Sequence, residues 1–406
     1  MPACKSGYDP QEDSTMLEKH VRLLAKGKVL DVGTGSGIQA IAAAQSSRVD
    51  SVLAVDVQKG VINYCKKNIT NKKIKFVHSD LFKNIKGTFD MSVNRKAISE
   101  HARKPKVFDT IIFNPPYLPQ ELKIRNKELE GGKKGYEVIE EFLEGVNNYL
   151  NADGLILMVF SSLTNKKKVN EFIKNNLLEF EELEKMHIFF EDLFVYKIKK
   201  SEMLKKFESI GIKNIRYFAK GHRGLLFRAK YKKKEIVIKA KNPESHAFGR
   251  IENEINWLKR LNKINIGPKL LYSCNEFFFY EYIGGDFIID YVEKSSKNNI
   301  KKMLKNVFMQ MHKLDKIKVD KEEMHHPVKH VIVSKGIPHL IDFERTRYSQ
   351  NPKNVTQFCQ FLISTKFNML LSKKGIKIEK AKIMELAKIY KIIQTNDNLK
   401  NIVGIL

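Results

Sequence analysis

Short, continuous apolar runs alternate with longer amphipathic segments through the first two hundred residues. KVLDV (28–32), SVLAVD (51–56), KIKFVH (73–78), FDTIIFN (108–114) and GLILMVFSS (154–162) read as buried strands. Segments of helical period lie between them, for example VIEEFLEGVNNYL (138–150). This alternation predicts a parallel sheet covered by helices, an α/β fold. EKMHIFF and DLFVYKIKK (184–200) follow one another with almost no break, which predicts a closing antiparallel hairpin.

The texture changes near Lys199. KKSEMLKKF reads as a charged helix, and residues 216–241 are rich in strand pattern, with YKKKE as a hairpin turn. Helical periodicity dominates from Arg250 onward, interrupted near 325–345 by two apolar runs. Residues 348–406 read as two or three amphipathic helices, such as IEKAKIMELAKIYKII (378–393). A boundary near residue 200 therefore divides the 406 residues into domains 1–200 and 201–406, with no internal repeat or low-complexity tract.

Composition narrows the setting. No apolar run approaches the length of a membrane-spanning helix, and MPACKSGYDPQED lacks the apolar core of a signal peptide. The four cysteines, Cys4, Cys65, Cys274 and Cys359, form no CxxC pair, which argues against a zinc motif or a disulfide framework. A reduced, cytoplasmic protein with no membrane contact is expected. The net charge of +27 is uneven: 32 basic and 26 acidic residues lie in 1–200, and 41 and 20 in 201–406. The basic second half suits an anionic partner such as RNA, a ribosome or an acidic protein face. Lysine used as the default surface residue gives the same count, because the lysines are dispersed.

Chemistry concentrates first at KVLDVGTGSG (28–37). A strand ends at Asp31, and Gly33, Gly35 and Gly37 turn the chain into a helix while keeping Cβ atoms away from a ligand. Dinucleotide and phosphate sites use similar turns. The next strand ends at Asp56, placed to accept from ribose hydroxyls, and the third at Asp80, placed near an adenine amino group. The more specific motif is NPPYLP (114–119), directly after FDTIIF. Its prolines lock the backbone and remove N–H donors. The Asn114 side-chain oxygen and the Pro115 carbonyl could accept both hydrogens of a planar, weakly nucleophilic NH2 group, with Tyr117 as a flat wall. That would turn the nitrogen toward a methyl sulfonium, with rate coming from orientation and electrostatics.

On these motifs, residues 7–200 resemble the HemK family of S-adenosylmethionine-dependent methyltransferases, which carry GxGxG after the first strand and NPPY after the fourth. The resemblance implies a class I, Rossmann-like, seven-stranded domain that methylates the glutamine amide in the GGQ loop of class 1 translation release factors. YDPQEDS (8–14), which locally reads as Asp9 capping a helix with Pro10 at its first position, and LEGGKKGYEVIEEFL (129–143) are similar to its archaeal and eukaryotic branch. By that resemblance Ser14, Asp31, Gly33, Gly35, Asp56, Asp80, Leu81 and Asn114 would line the cofactor, and a small zinc-binding activator subunit would be a partner. Enzymes that methylate adenine amino groups in RNA or DNA share NPPY, and lysine methylation occurs in the wider family.

The second half carries spaced parts of phosphoryl transfer. GHRG (221–224) could cover phosphates, IVIK puts Lys239 in a strand, and EINWLKRL puts Glu254 on a helix to pair with it. FFFYEYIGGDFI could present Glu281 and Tyr282 to adenine, and LIDFE offers Asp342 as a magnesium ligand. Residues 215–347 thus look like small atypical kinases of the RIO and Bud type, and more closely like an archaeal group of predicted Ser/Thr kinases with a DFE element. The resemblance implies a small α+β domain that uses ATP and magnesium, with an N-lobe at about 215–282 and a C-lobe at about 283–406. The usual catalytic-loop Asp and Asn are missing from KEEMHHPVKHVIV (321–333). Counting back from the strand puts His330 at the Asn position and His325 at the Asp position, or Glu323 becomes the base in a longer loop. A working kinase and an ATP-binding pseudokinase scaffold both fit. Trp257 reads as core.

Overall fold

The computed structural model describes residues 10–85, 107–118, 131–220, 224–241 and 250–406. By contacts the chain divides into two compact units, Met1–Arg216 and Tyr217–Leu406.

The first unit follows the predicted alternation. Its order is α1 (Glu12–Leu24), β1 (Gly27–Val32), α2 (Ile38–Ala44), β2 (Val49–Asp56), α3 (Lys59–Asn68), β3 (Ile74–His78), β4 (Phe108–Phe113), α4 (Glu137–Val146), β5 (Leu150–Ser161), α5 (Lys166–Asn175), β6 (Leu178–Ile188), β7 (Glu191–Lys200) and α6 (Glu202–Ser209). The sheet order is β3-β2-β1-β4-β5-β7-β6. Pairings from β3 through β5 are parallel, and β7 runs antiparallel to both neighbours, as the hairpin pattern predicted. Central strands are buried on both faces, so Val52 to Val55 read as an unbroken apolar run. This is an α/β, Rossmann-like architecture with seven strands.

Three local readings shift. Helix α1 begins at Glu12 with Gln11 at its N-cap, so Pro10 precedes the helix, and Asp9 lies outside the described residues. Helix α4 stops at Val146 rather than running to residue 150. The Asn147 amide is drawn to the Asn176 carbonyl (2.8 Å), and Leu150 already pairs with Phe108 in β5. The charged helix α6 belongs to the first unit. It buries Leu204 and Phe207, and Glu208 accepts from the buried Lys200 ammonium at 2.6 Å.

Strand β8 (Lys213–Lys220) runs across the boundary between the units, and the second unit continues with β9 (Gly224–Tyr231), β10 (Lys234–Lys241), α7 (Arg250–Leu261), β11 (Leu270–Ser273) and β12 (Phe277–Glu281), in the sheet order β11-β12-β10-β9-β8. The β9–β10 turn places Lys232 and Lys233 at φ +46° and +66°, the two positive values of a tight primed hairpin turn. The rest comprises β13 (Asp286–Phe287), α8 (Ile288–Lys294), α9 (Lys297–Lys316), β14 (Val319–Asp320), β15 (Val331–Ser334), β16 (Ile337–Leu340), β17 (Arg347–Tyr348), α10 (Asn354–Leu362), α11 (Thr365–Lys373), α12 (Lys380–Ile392) and α13 (Asn396–Gly404). Helix α9 buries Ile300, Met303, Leu304, Val307, Phe308 and Met311 at three- and four-residue intervals. Asp315 on α9 ties in α10 and α12 by accepting from the Asn354 amide (2.7 Å) and the Tyr390 hydroxyl (3.2 Å). Trp257 is core, packed edge-on against Tyr348. Among the described residues no helix is long and apolar enough to cross a membrane.

Candidate active site and a second polar cluster

Strand register builds the first site. Val32 pairs with both Val55 and Phe113, so the turns that leave β1, β2 and β4 emerge side by side at the carboxyl edge of the sheet. They border a cavity of about 340 Å³ lined by Ser14, Gly33, Gly35, Asp56, Asp80, Leu81, Asn114, Pro115 and Tyr117 among others. The glycines have separable reasons. Gly37 sits at φ +83°, and a Cβ there would lie 2.5 Å from Ile69 Cδ1. A Cβ on Gly35 would project into open space, which leaves the backbone exposed to a ligand. The proline turn faces this bend, because a Cβ on Gly33 would stand 3.7 Å from the Asn114 carbonyl oxygen.

Asn114 is held in one orientation. Its Nδ2 donates to Asp13 Oδ2 and to Ser14 Oγ, both at 3.2 Å. The NH2 end is therefore occupied by protein acceptors, and Oδ1 is the end left for a ligand's N–H. Asp13 Oδ2 also accepts from the Tyr117 hydroxyl at 3.1 Å, and the Tyr117 carbonyl accepts from Thr164 Oγ1 at 2.9 Å. The buried Asp13 thus fixes two members of the motif at once. It was not among the expected site residues. The signal was present, since Asp13, Met16, Leu17 and His20 share the buried face of α1, and a carboxylate on such a face needs partners.

The acidic strand ends differ from one another. Asp56 Oδ2 accepts from the Gly35 N–H (3.1 Å) and Oδ1 from the Gln58 N–H (2.9 Å), so it shapes the glycine turn. Asp80 is half exposed and paired with Lys83. Leu81 follows it at φ +43°. Asp31 is buried, and that burial pushes its carboxyl up to about 7, with the Thr34 hydroxyl (2.6 Å) pulling it down and neighbouring Asp56 pushing it further up.

Residues 6–101 match the methyltransferase small domain. A Methanocaldococcus jannaschii protein named protein N5-glutamine methyltransferase is 32% identical over 195 residues, which cover 46% of this chain and 89% of that one. The chain belongs to this methyltransferase family. A Rhodopirellula baltica release factor glutamine methyltransferase is 30% identical over 149 residues, covering 33% of this chain and 45% of the relative. A Bacteroides fragilis tRNA1(Val) (adenine(37)-N6)-methyltransferase is 26% identical over 152 residues, covering 36% and 57%. S-adenosylmethionine is the cofactor this membership implies. The donor set fits it: carboxylates, glycine-turn backbone and an apolar wall converge on one cavity.

The second unit of this methyltransferase holds a separate polar cluster. The buried Lys239 ammonium on β10 donates to Glu254 on α7 and lies 3.3 Å from Asp342 Oδ1 and 3.7 Å from Glu344. Lys239 and Asp342, 103 positions apart, thus meet in the fold. Burial disfavours the Lys239 charge, but Glu254 and Asp342 outweigh it and hold its pKa above the ordinary lysine value. Asp342 is kept below the usual carboxylate range because Lys239, Lys321 and His330 overcome its burial. Sequence reasoning missed Lys321. It is fully buried, its ammonium donates to the Asp342 carbonyl at 2.7 Å, and burial pushes it down to about 8.

Glu323 does not stand free. Oε1 takes Arg345 at 2.6 Å and Oε2 takes His330 Nε2 at 3.3 Å. His325 is exposed. The Glu281 and Tyr282 N–H groups donate to the carbonyls of Lys269 (3.0 Å) and Glu235 (2.9 Å), so neither is left for adenine. Of GHRG, residues 221–223 lie outside the described residues. Among the described residues no group of three or more His, Cys, Asp or Glu side chains is arranged around a metal position.

Proposed function

We propose that the first unit methylates the side-chain amide nitrogen of a protein glutamine, with the GGQ glutamine of a class 1 translation release factor as substrate. The observation that carries this reading is the locked Asn114 amide. Asp13 and Ser14 hold its NH2 end, so Oδ1 serves as the acceptor for a planar NH2 group. The Pro115 carbonyl is the second acceptor, and the Tyr117 ring, tethered through its hydroxyl, limits the tilt of the plane. These acceptors leave no strong base in contact with the nitrogen. The C–N bond would form as the donor's methyl–sulfur bond breaks to leave a neutral thioether, the surplus proton on nitrogen would pass to water, and catalysis is orientation plus electrostatics. Bound S-adenosylmethionine supplies the electrophilic methyl group. Ser14, Gly33, Gly35, Asp56, Asp80 and Leu81, which line the cavity, would hold it; Asp31, expected with them, is buried against Thr34 and is not part of the lining. The resemblance to the release-factor branch extends the proposal to a small zinc-binding activator subunit.

Adenine's exocyclic amine offers the same two hydrogens, and the tRNA-modifying relative gives that reading substance. Radiolabelled methyl transfer, run with purified release factor beside total RNA and DNA, separates them. Label on the factor is the expected result, and label on nucleic acid alone would reject the proposal.

Asp31 supplies a second test. Its raised carboxyl keeps a proton in the folded protein up to about pH 7, so its contribution to stability is present at low pH and is lost as pH rises through about 7. A cationic cofactor in the cavity lined by the adjoining Val32, Gly33 and Thr34 would reverse the preference. Binding of S-adenosylmethionine near pH 6.5 is therefore expected to release up to about one proton, seen as a buffer-dependent calorimetric enthalpy. That dependence should vanish in Asp31→Asn, and a buffer-independent wild-type enthalpy would contradict the assignment.

For the second unit we propose an ATP site. Lys239, oriented by Glu254, would hold phosphates, and Asp342 would hold the magnesium that accompanies them. With both Glu323 oxygens engaged, its use as the base of a Ser/Thr kinase requires release from Arg345. That observation favours an ATP-binding scaffold as the resting role of this unit. Its excess of basic residues makes RNA or the ribosome a partner to test beside the factor.

A further inference from the structure

The hairpin that closes the sheet of the first unit ends in two phenylalanines. Strands β6 and β7 are joined by Phe189 and Phe190 alone, since Ile188 already pairs with Glu191. Phe189 is 90% exposed and Phe190 97%, more than any other large apolar side chain among the described residues. The turn is also a poor place for them. Phe189 sits at φ +43°, a left-handed conformation that bulky residues rarely adopt and that two-residue hairpin turns normally give to Gly, Asn or Asp. Rings this exposed add almost nothing to the core, and they invite association. A strained residue whose side chain does no packing points to a use outside the fold.

The tip stands on the active-site edge of the sheet. Phe113, which leads into Asn114, pairs with Met158 of β5, and three residues further along β5 Ser161 pairs with Leu193 of β7. The Asp192 N–H then donates to Ser162 Oγ at 3.0 Å, and Thr164, in the same short segment after β5, holds the Tyr117 carbonyl at 2.9 Å. The proline turn and the root of the tip therefore share one support. Strand β6 is braced to α1 as well. Glu184 accepts from Lys19 at 3.0 Å and meets His20 Nε2 at 2.6 Å, on the helix whose Asp13 and Ser14 hold Asn114. The aromatic pair is thus carried on an anchored arm at the edge where the cavity lies.

Charge decides what the pair would meet. Residues 179–192 hold six acidic residues and one lysine, in a chain of net charge +27. Lys19, Lys166 and Lys197 balance Glu184, Glu182 and Glu181, which leaves the arm without positive charge to spare. A base-stacking platform for nucleic acid sits in a groove of basic residues that tracks the phosphates. Apolar contact with a protein needs no such groove. We propose that Phe189 and Phe190 dock the protein substrate, entering an apolar depression with a neutral or basic rim near its acceptor glutamine. The proposal rests on the protein-glutamine reading of the first unit. Docking on an anchored arm limits how the substrate can turn over the pocket, and so selects a folded protein over a free acceptor sequence.

The test compares the wild-type chain with a variant carrying Phe189→Gly and Phe190→Ser, residues that the turn itself prefers. Its melting temperature should equal or exceed that of the wild type. Phe190→Ser alone, which leaves the strained position untouched, is the second variant. The substrates are a purified class 1 release factor and a synthetic peptide spanning its GGQ loop. For the factor, the double change should raise KM about tenfold or more with kcat within about twofold, because two buried rings are lost while the reacting atoms are untouched. For the peptide, which lacks the docking surface, both constants should stay unchanged. Affinity for the factor, read by interferometry without a methyl donor, should fall in parallel with the rise in KM. Unchanged KM and affinity for the factor, or equal losses on factor and peptide, would overturn the proposal. So would loss of RNA binding in place of factor binding, or a wild-type dimer that the variant turns into a monomer with transfer unaffected. A factor that binds through the tip yet gains no label would support the docking arm while rejecting the glutamine reading. A labelled factor indifferent to the tip would do the reverse.

Discussion

Asn114→Ala is expected to lower the rate of methyl transfer by about 10²- to 10³-fold while changing S-adenosylmethionine affinity only a few-fold. The magnitude follows from removing one preorganised hydrogen-bonding group in an enclosed site, which typically has that effect. The separation of rate from binding follows from geometry. Asn114 reaches the cavity from the end of β4, whereas Gly35, Asp56 and Asp80 approach it from the turns after β1, β2 and β3. The alanine variant also leaves Asp13 and Ser14 without the amide they accept from, but Tyr117 still engages Asp13, so the pocket keeps its shape. Single-turnover kinetics beside calorimetric binding give both quantities. An unchanged rate would remove the amide from the mechanism, and a parallel collapse of binding would make it a cofactor contact instead.

Glu254→Ala is expected to destabilise the second unit by about 3 to 5 kcal/mol, a fall of roughly 6 to 20 °C in its melting temperature. Lys239 and Glu254 have side chains only 14% and 3% exposed, so removing the carboxylate strands a buried ammonium near Asp342 and Glu344, both partial substitutes. The paired replacement Lys239→Met with Glu254→Leu should recover most of the loss, because a buried ion pair exchanged for apolar groups of similar size is often neutral. Calorimetry with hydrogen exchange read over residues 234–261 localises the effect. A shift below about 2 °C for the single change would mean that water reaches the pair and screens it.

How much of this was legible in the sequence varied with the kind of information required. Strands β1, β2, β4 and β5 were legible because a strand buried on both faces leaves an unbroken apolar run, and the glycine turn and the Asn-Pro-Pro turn follow two of them directly; the edge strand β3 buries only Phe76. The ends of elements were less so. Leu150 continues a helical pattern from α4, yet strand pairing with Phe108 claims it, a tertiary contact that no local periodicity encodes. The charged stretch after Lys199 changes composition without changing partners, since Leu204 and Phe207 still pack into the first unit.

In the site, residue types were legible and the directions of their side chains were not. Asn114 was recognisable as an amide in a rigid turn, but its orientation depends on Asp13, a hundred residues away. In the second unit the counting that aligned His330 with a metal-binding Asn could not show that one ring nitrogen meets Glu323 while the other is unpaired. Lys321 escaped notice because a lysine in a lysine-rich chain carries no signal until its burial is seen.

The account rests on methyl transfer to an amide nitrogen, and one measurement addresses that bond directly. A class 1 release factor labelled with ¹⁵N in its glutamine side chains is incubated with the enzyme and ¹³C-methyl S-adenosylmethionine, then examined by carbon–nitrogen correlated NMR. The account predicts a single new ¹³C methyl resonance coupled through one bond to the ¹⁵N of the GGQ glutamine. A methyl signal with no such coupling, arising from a lysine amine or from co-purified nucleic acid, would contradict it.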